Sequence, residues 1–167
     1  MPLHSVRRGN GADVGREQPM KWMTKSGLKV GRIGCAWLIA RYIDHQPQFV
    51  FCDEADMPAE ALRRGAILFH IDGSEYARAG TESSFEVLLR KSNLTNNPAL
   101  VLLSHIVGTA DVKTSPHQRP EGAGLRAMCD GLGWRYPDDD NQIIVEGFSY
   151  YDSLYQWCER QVALGRN

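Results

Sequence analysis

This chain has few of the features that assign a protein quickly. Its four cysteines, Cys35, Cys52, Cys129 and Cys158, are far apart and form no CxxC pair, which argues against a zinc ribbon or a thioredoxin-like redox motif. Free thiols in a reducing compartment are the expected state. No run of about 18 apolar residues exists, so no transmembrane helix is predicted. The opening "MPLHSVRRGNGADVGREQPM" has early positive charge but no apolar segment behind it, and therefore does not read as a secretory signal. Residues 1–20 are expected to be a mobile polar tail, and the chain is expected to be cytoplasmic. There is no excess charge of either sign, with 19 Lys plus Arg against 20 Asp plus Glu. That balance gives no footprint for nucleic acid or an anionic membrane. No GxGxxG stretch points to a nucleotide cofactor, and there are no internal repeats or low-complexity linkers.

What is present is an ordinary globular composition, 43% hydrophobic and 23% charged over 167 residues, enough for one domain with a proper core. Residues 31–44, "GRIGCAWLIARYID", are apolar nearly all the way round at helical steps. This predicts a buried central helix. "QFVFCD" (48–53) and "AILFHID" (66–72) read as short strands. Between them lies a helix over "MPAEALRRG", with Gly65 as its stop. Further helices are predicted over 84–92, over 98–112, from Pro120 through Leu125, Met128 and Leu132, and over about 141–164. The expected class is helix-rich α+β: about six helices around the central one, with two or three short strands, in a single domain over residues 21–164.

Ordered along the chain, "KWMTK", "VGRIGCAWLIARYID", "GAILFHIDGSEYARAGTESSFEVLL", "IVGTAD", "PEGAGL" and "YYDSLYQWC" resemble the C-terminal domain of the chromate-resistance protein ChrB family over about residues 21–160. The resemblance implies a role in chromate resistance, as a chromate-responsive regulator or a reductase. Full-length members carry a preceding domain thought to contribute DNA binding, so nucleic acid is not expected as a partner of this chain alone. The family pattern departs at four positions. Gly31 and His70 stand where aspartates are usual, Arg78 where a histidine is usual, and Ser83 where a cysteine is usual.

Candidate ligand residues follow from residue type and placement. Glu75, Asp111, Glu121 and Asp152 sit at the margins of apolar faces and match family positions. Hard oxygen donors of this kind suit a divalent ion such as iron or manganese; zinc is a further candidate, and His70 would add an imidazole. Asp111 falls at the C-terminal end of its helix, against the dipole, so a compensating partner is expected. Lys29, Arg32, Arg41 and Arg78 are the candidate anion-binding cations. Arg32 and Arg41 lie about 180° apart on a helix and are expected to serve different layers, each with its own acid. An oxyanion pocket at Gly31 with Lys29 and Arg32 stands beside a plain glycine N-cap reading. His70 and Asp72 are expected on one strand face. His105 is read as outward-facing and His117 as a solvent-facing loop residue. Cys35, inside an apolar helix, is expected to be unreactive.

Three functions remain open on these residues: a domain binding a small oxyanion or a metal for resistance or sensing, a metal-dependent enzyme using the same carboxylates, and a degenerate structural or partner-binding domain. A homo-oligomer is compatible with each.

Overall fold

The computed structural model describes residues 18–167; most of the proposed tail lies outside them. Lys21–Lys25 forms β1, and Val30–Leu38 forms α1, which continues through one wider turn over Ile39–Ile43. Gln48–Cys52 (β2), Met57–Arg64 (α2) and Ala66–Leu68 (β3) follow. Four helices complete the chain: α3 (Ser84–Lys91), α4 (Pro98–Asp111), α5 (Glu121–Arg135) and α6 (Asp140–Ala163). This is a helix-rich α+β fold. Among the described residues no helix is long and apolar enough to cross a membrane.

All three strands are parallel in the order β2-β1-β3, with Trp22 opposite Phe49 on one side and Ile67 on the other. Parallel neighbours require crossovers, and α1 and α2 are those crossovers. Strand alternation then sorts the side chains. Trp22, Phe49, Phe51, Ile67 and Phe69 join the main core, whereas Met23, Val50, Cys52 and Leu68 meet Met57 and Ala61 of α2. The central strand is thus buried on both faces, as parallel strands require.

On the other side of the core, α1 is enclosed by α3, α4, α5 and α6. From Ile33 to Ile39 only Gly34 lacks a side chain, and every residue is buried. A β-carbon at Gly34 would lie 2.9 Å from Tyr151 Oη and 3.0 Å from its ring. Glycine here is a matter of packing. Tyr151 in turn donates to the Val30 carbonyl at 2.6 Å, fastening α6 to the first turn of α1. The cap of α1 is Lys29, not Gly31, so the glycine N-cap reading is replaced by a close-approach role described below.

Local signals account for most helix ends. Gly65 ends α2 in the left-handed conformation at φ 61°. Ser83 caps α3 in a full capping box with Glu86, so this departure from the family cysteine has a structural use. Asn97 caps α4 through the Ala99 and Leu100 amides. Two expectations need correction. The second predicted strand stops at Leu68, because the backbone turns left-handed at His70, φ 53°. His70 and Asp72 therefore share no strand face. Met128, named with Leu125 and Leu132 in the predicted helix, is exposed while those two are buried.

Candidate functional site

A cleft of about 240 Å3 opens outside the carboxyl ends of the strands and is lined by Arg32, Glu54, His70, Ile71, Asp72, Arg78, Ser84 and Asp111. Parallel sheets commonly place ligands there, because strand ends and the following loops converge. The contributors arrive from several elements. Arg32 comes from the first turn of α1, His70 and Asp72 from the turn after β3, Arg78 from the loop beyond, and Ser84 and Asp111 from the facing ends of α3 and α4.

His70 and Asp111 form the fixed side of this cleft. The imidazole Nε2 lies 3.0 Å from Asp111 Oδ2, and both side chains are 18% exposed. Asp111 ends α4, where the dipole is unfavourable to a carboxylate, so His70 supplies the expected compensation. Gly31 explains how the ring fits. A β-carbon there would collide with His70 Nε2 and Asp111 Oδ2 and would lie 2.6 Å from Asp111 Cγ. The imidazole occupies the space a side chain at position 31 would need. Gly31 and the His70 ring thus depend on one another in space.

The two arginines of the cleft differ from Arg41. Among the described residues neither Arg32 nor Arg78 has a carboxylate within 4.0 Å, and Arg32 Nε is buried with no hydrogen-bond partner. The expectation that Arg32 pairs with its own acid is thus corrected. Arg41 does pair. It forms a two-point contact with Asp152, at 3.0 and 2.9 Å, and Asp152 also accepts from Trp37 Nε1 at 2.7 Å. The Arg41 guanidinium, then the Trp37 indole, hold the Asp152 carboxyl below its ordinary range.

The remaining candidates are dispersed. Lys29 is exposed at the start of α1 and borders a separate hollow with Asp130 and Trp134. Glu75 lies exposed 3.9 Å from Lys91. Glu121 sits 3.6 Å from Arg119 and lines an apolar groove between α5 and α6. Of the five proposed metal ligands only Asp111 and His70 meet. Among the described residues no three His, Cys, Asp or Glu side chains form a group able to hold a metal ion. The five candidate ligands therefore do not assemble into the divalent-ion site expected from sequence.

The thiols are placed for packing. Burial raises Cys35 well above its ordinary range, with Asp111 adding to the effect and Arg32 opposing it. Burial likewise pushes Cys129 and Cys158 up to about 12. All four cysteines are free.

The reading of His117 as a solvent-facing loop residue is corrected by the structure, and His105, on the outer side of its helix, is covered by His117. His117 Nε2 lies 2.9 Å from Glu86 Oε1, and its ring stacks on His105 at 3.7 Å between centroids. No pattern in the sequence signals this contact, because it needs the 112–120 loop to fold back over α4. Burial, then the neighbouring His117, holds His105 below its ordinary value of 6.5, while Glu86 opposes that shift. The unfolded chain therefore takes up the proton first as pH falls. Stability is expected to decline as pH drops from 6.5 toward the lower folded value and to level off beneath it. Denaturation midpoints of wild type and His105→Gln across that range check this, with the variant showing the shallower decline.

Fold and site together define a helix-rich α+β domain with a mixed-charge cleft at the carboxyl edge of a small parallel sheet. The chain belongs to the family described as "ChrB, C-terminal domain", whose model matches residues 22–158. It is similar to Protein ChrB of Cupriavidus metallidurans, 33% identical over 144 residues, covering 86% of this chain and 42% of the relative. The chain thus spans less than half the length of that relative. No solved structure matches it.

Proposed function

We propose that this chain serves chromate resistance as an oxyanion-binding domain, with the cleft around Arg32 and Arg78 as the binding site. One observation carries the reading: two guanidinium groups without a carboxylate partner line the same cleft. A buried guanidinium nitrogen without a partner is costly, and an anion would satisfy it with a charge-assisted, often two-point, hydrogen bond. His70, held by Asp111 at 3.0 Å, adds a third polar group. A tetrahedral oxyanion is small enough for a cleft of about 240 Å3. The family's association with chromate names the class of anion to try first.

Thermal unfolding with chromate or inorganic phosphate tests this. An anion at a hundredfold excess over its dissociation constant stabilises by about 2.7 kcal/mol, which raises Tm by about 5 to 10 °C in a chain of this size. Arg32→Gln or Arg78→Gln is expected to weaken binding about tenfold to a hundredfold. Arg41→Gln removes the same charge on another face and is expected to leave binding unchanged. Equal losses in all three variants, or no stabilisation by either anion, would refute the site.

A further inference from the structure

We infer that the cleft selects oxyanions that still carry a hydrogen and rejects those that are fully ionised. The inference rests on the binding site proposed above and names the ligand class for it.

The walls of the cleft divide by hydrogen-bonding capacity. Arg32 and Arg78 can only donate, whereas the carboxylates of Asp72 and Asp111 are acceptors. Asp111 Oδ2 is engaged by His70 at 3.0 Å. Among the described residues no other hydrogen bond reaches that carboxylate, so Oδ1 remains an acceptor on a side chain only 18% exposed. Asp72 is exposed and forms no ion pair among the described residues. The third acid differs, since Glu54 is already held by Lys25 at 3.0 Å. His70 does not decide the matter, because an imidazole can donate or accept according to its tautomer.

A tetrahedral anion presents oxygens in four directions. In a cleft with cationic groups and acids on its walls, oxygens turned from the guanidiniums face the carboxylates. An oxygen bearing a hydrogen donates to Asp111 there. A bare anionic oxygen instead sets lone pair against lone pair and like charge against like charge, a juxtaposition that opposes binding. Hydrogen phosphate and sulfate have nearly the same shape and carry comparable charge near neutral pH, but only the phosphate brings a hydrogen. Chromate, which loses its last hydrogen close to neutral pH, enters the admitted class through its hydrogen chromate form, whereas sulfate has no such form there. The arginines alone would hardly tell them apart, whereas the acids would. Asp111 and Asp72 are thereby specificity-determining residues, acting by what they exclude.

Isothermal titration of the whole chain with inorganic phosphate and with sulfate, at pH 7 and one ionic strength, tests the selection. Phosphate is expected to bind at least about tenfold more tightly, a difference of about 1.4 kcal/mol. Asp111→Asn and Asp72→Asn should each bring the ratio toward one, chiefly through a gain in sulfate binding. The exposed Asp72 makes the second variant safe for folding should the first perturb His70. Sulfate binding within threefold of phosphate in the wild-type chain would overturn the selection while leaving the anion site standing, as would a ratio unchanged in the folded variants. If neither anion binds, the anion site itself falls, and the selection with it.

Discussion

Trp37→Ala is expected to lower stability by about 3–5 kcal/mol, the range for removing a large buried aromatic side chain. Trp37 is 1% exposed and stands between α1 and α6. Its ring centroid lies 5.8, 6.0 and 5.7 Å from those of Tyr42, Tyr151 and Tyr155. Alanine would leave a cavity that three tyrosines on constrained backbones cannot close, and would take the indole donor from Asp152. A loss of that size corresponds to a Tm fall of about 10 °C in a domain of this length. Denaturant titration checks it through a lower midpoint at unchanged slope. Trp37→Phe keeps most of the ring and is expected to cost less than half as much. Equal costs for the two would assign the effect to the hydrogen bond rather than to the packing.

Gly31→Ala is expected to act on stability and on the cleft together. One methyl group at this position meets the polar ends of His70 and Asp111. Those ends can move, so the cost is set by the contact they give up rather than by a rigid backbone, about 1–3 kcal/mol. The same movement separates the imidazole from Asp111 and changes the wall that faces an anion. Phosphate binding is therefore expected to fall by about tenfold, the equivalent of one displaced charge-assisted contact. Gly131→Ala in α5 is the appropriate control. A β-carbon there meets nothing within 4 Å, so the change is expected to raise stability by up to about 1 kcal/mol through helix propensity. Denaturation and phosphate titration of both variants would show whether Gly31 is retained for the helix or for the cleft. Unchanged binding in a folded Gly31→Ala protein would remove His70 from the cleft's function.

How much of this was legible beforehand varied with the range of the forces involved. Helix boundaries depend on groups within one turn, and Gly65, Ser83, Asn97 and Pro98 are visible as stop, cap and first-turn residues without any tertiary information. The apolar run from Ile33 to Ile39 announced the buried helix because only complete enclosure suits it. The second strand was misjudged for a similar reason. "AILFHID" alternates as a strand does, but a left-handed residue at His70 is tolerated because Asp111 and the space over Gly31 hold its ring in place. Those partners are 41 and 39 positions away and leave no local trace.

The composition and order of residues determined the class of fold, the family and the stock of charged groups from which any site had to be built. Pairing among those groups was decided by the tertiary structure alone. Arg41 and Arg32 stand on one continuous helical segment, yet Arg41 is neutralised by Asp152 from α6 while Arg32 reaches a cleft and has no carboxylate within 4.0 Å among the described residues. Glu75, Asp111, Glu121 and Asp152 were equivalent as acids in a sequence, and folding sent them to four separate surroundings. The reason is physical. A salt bridge or a hydrogen bond acts over a few ångströms, and only the packing of distant elements sets separations on that scale.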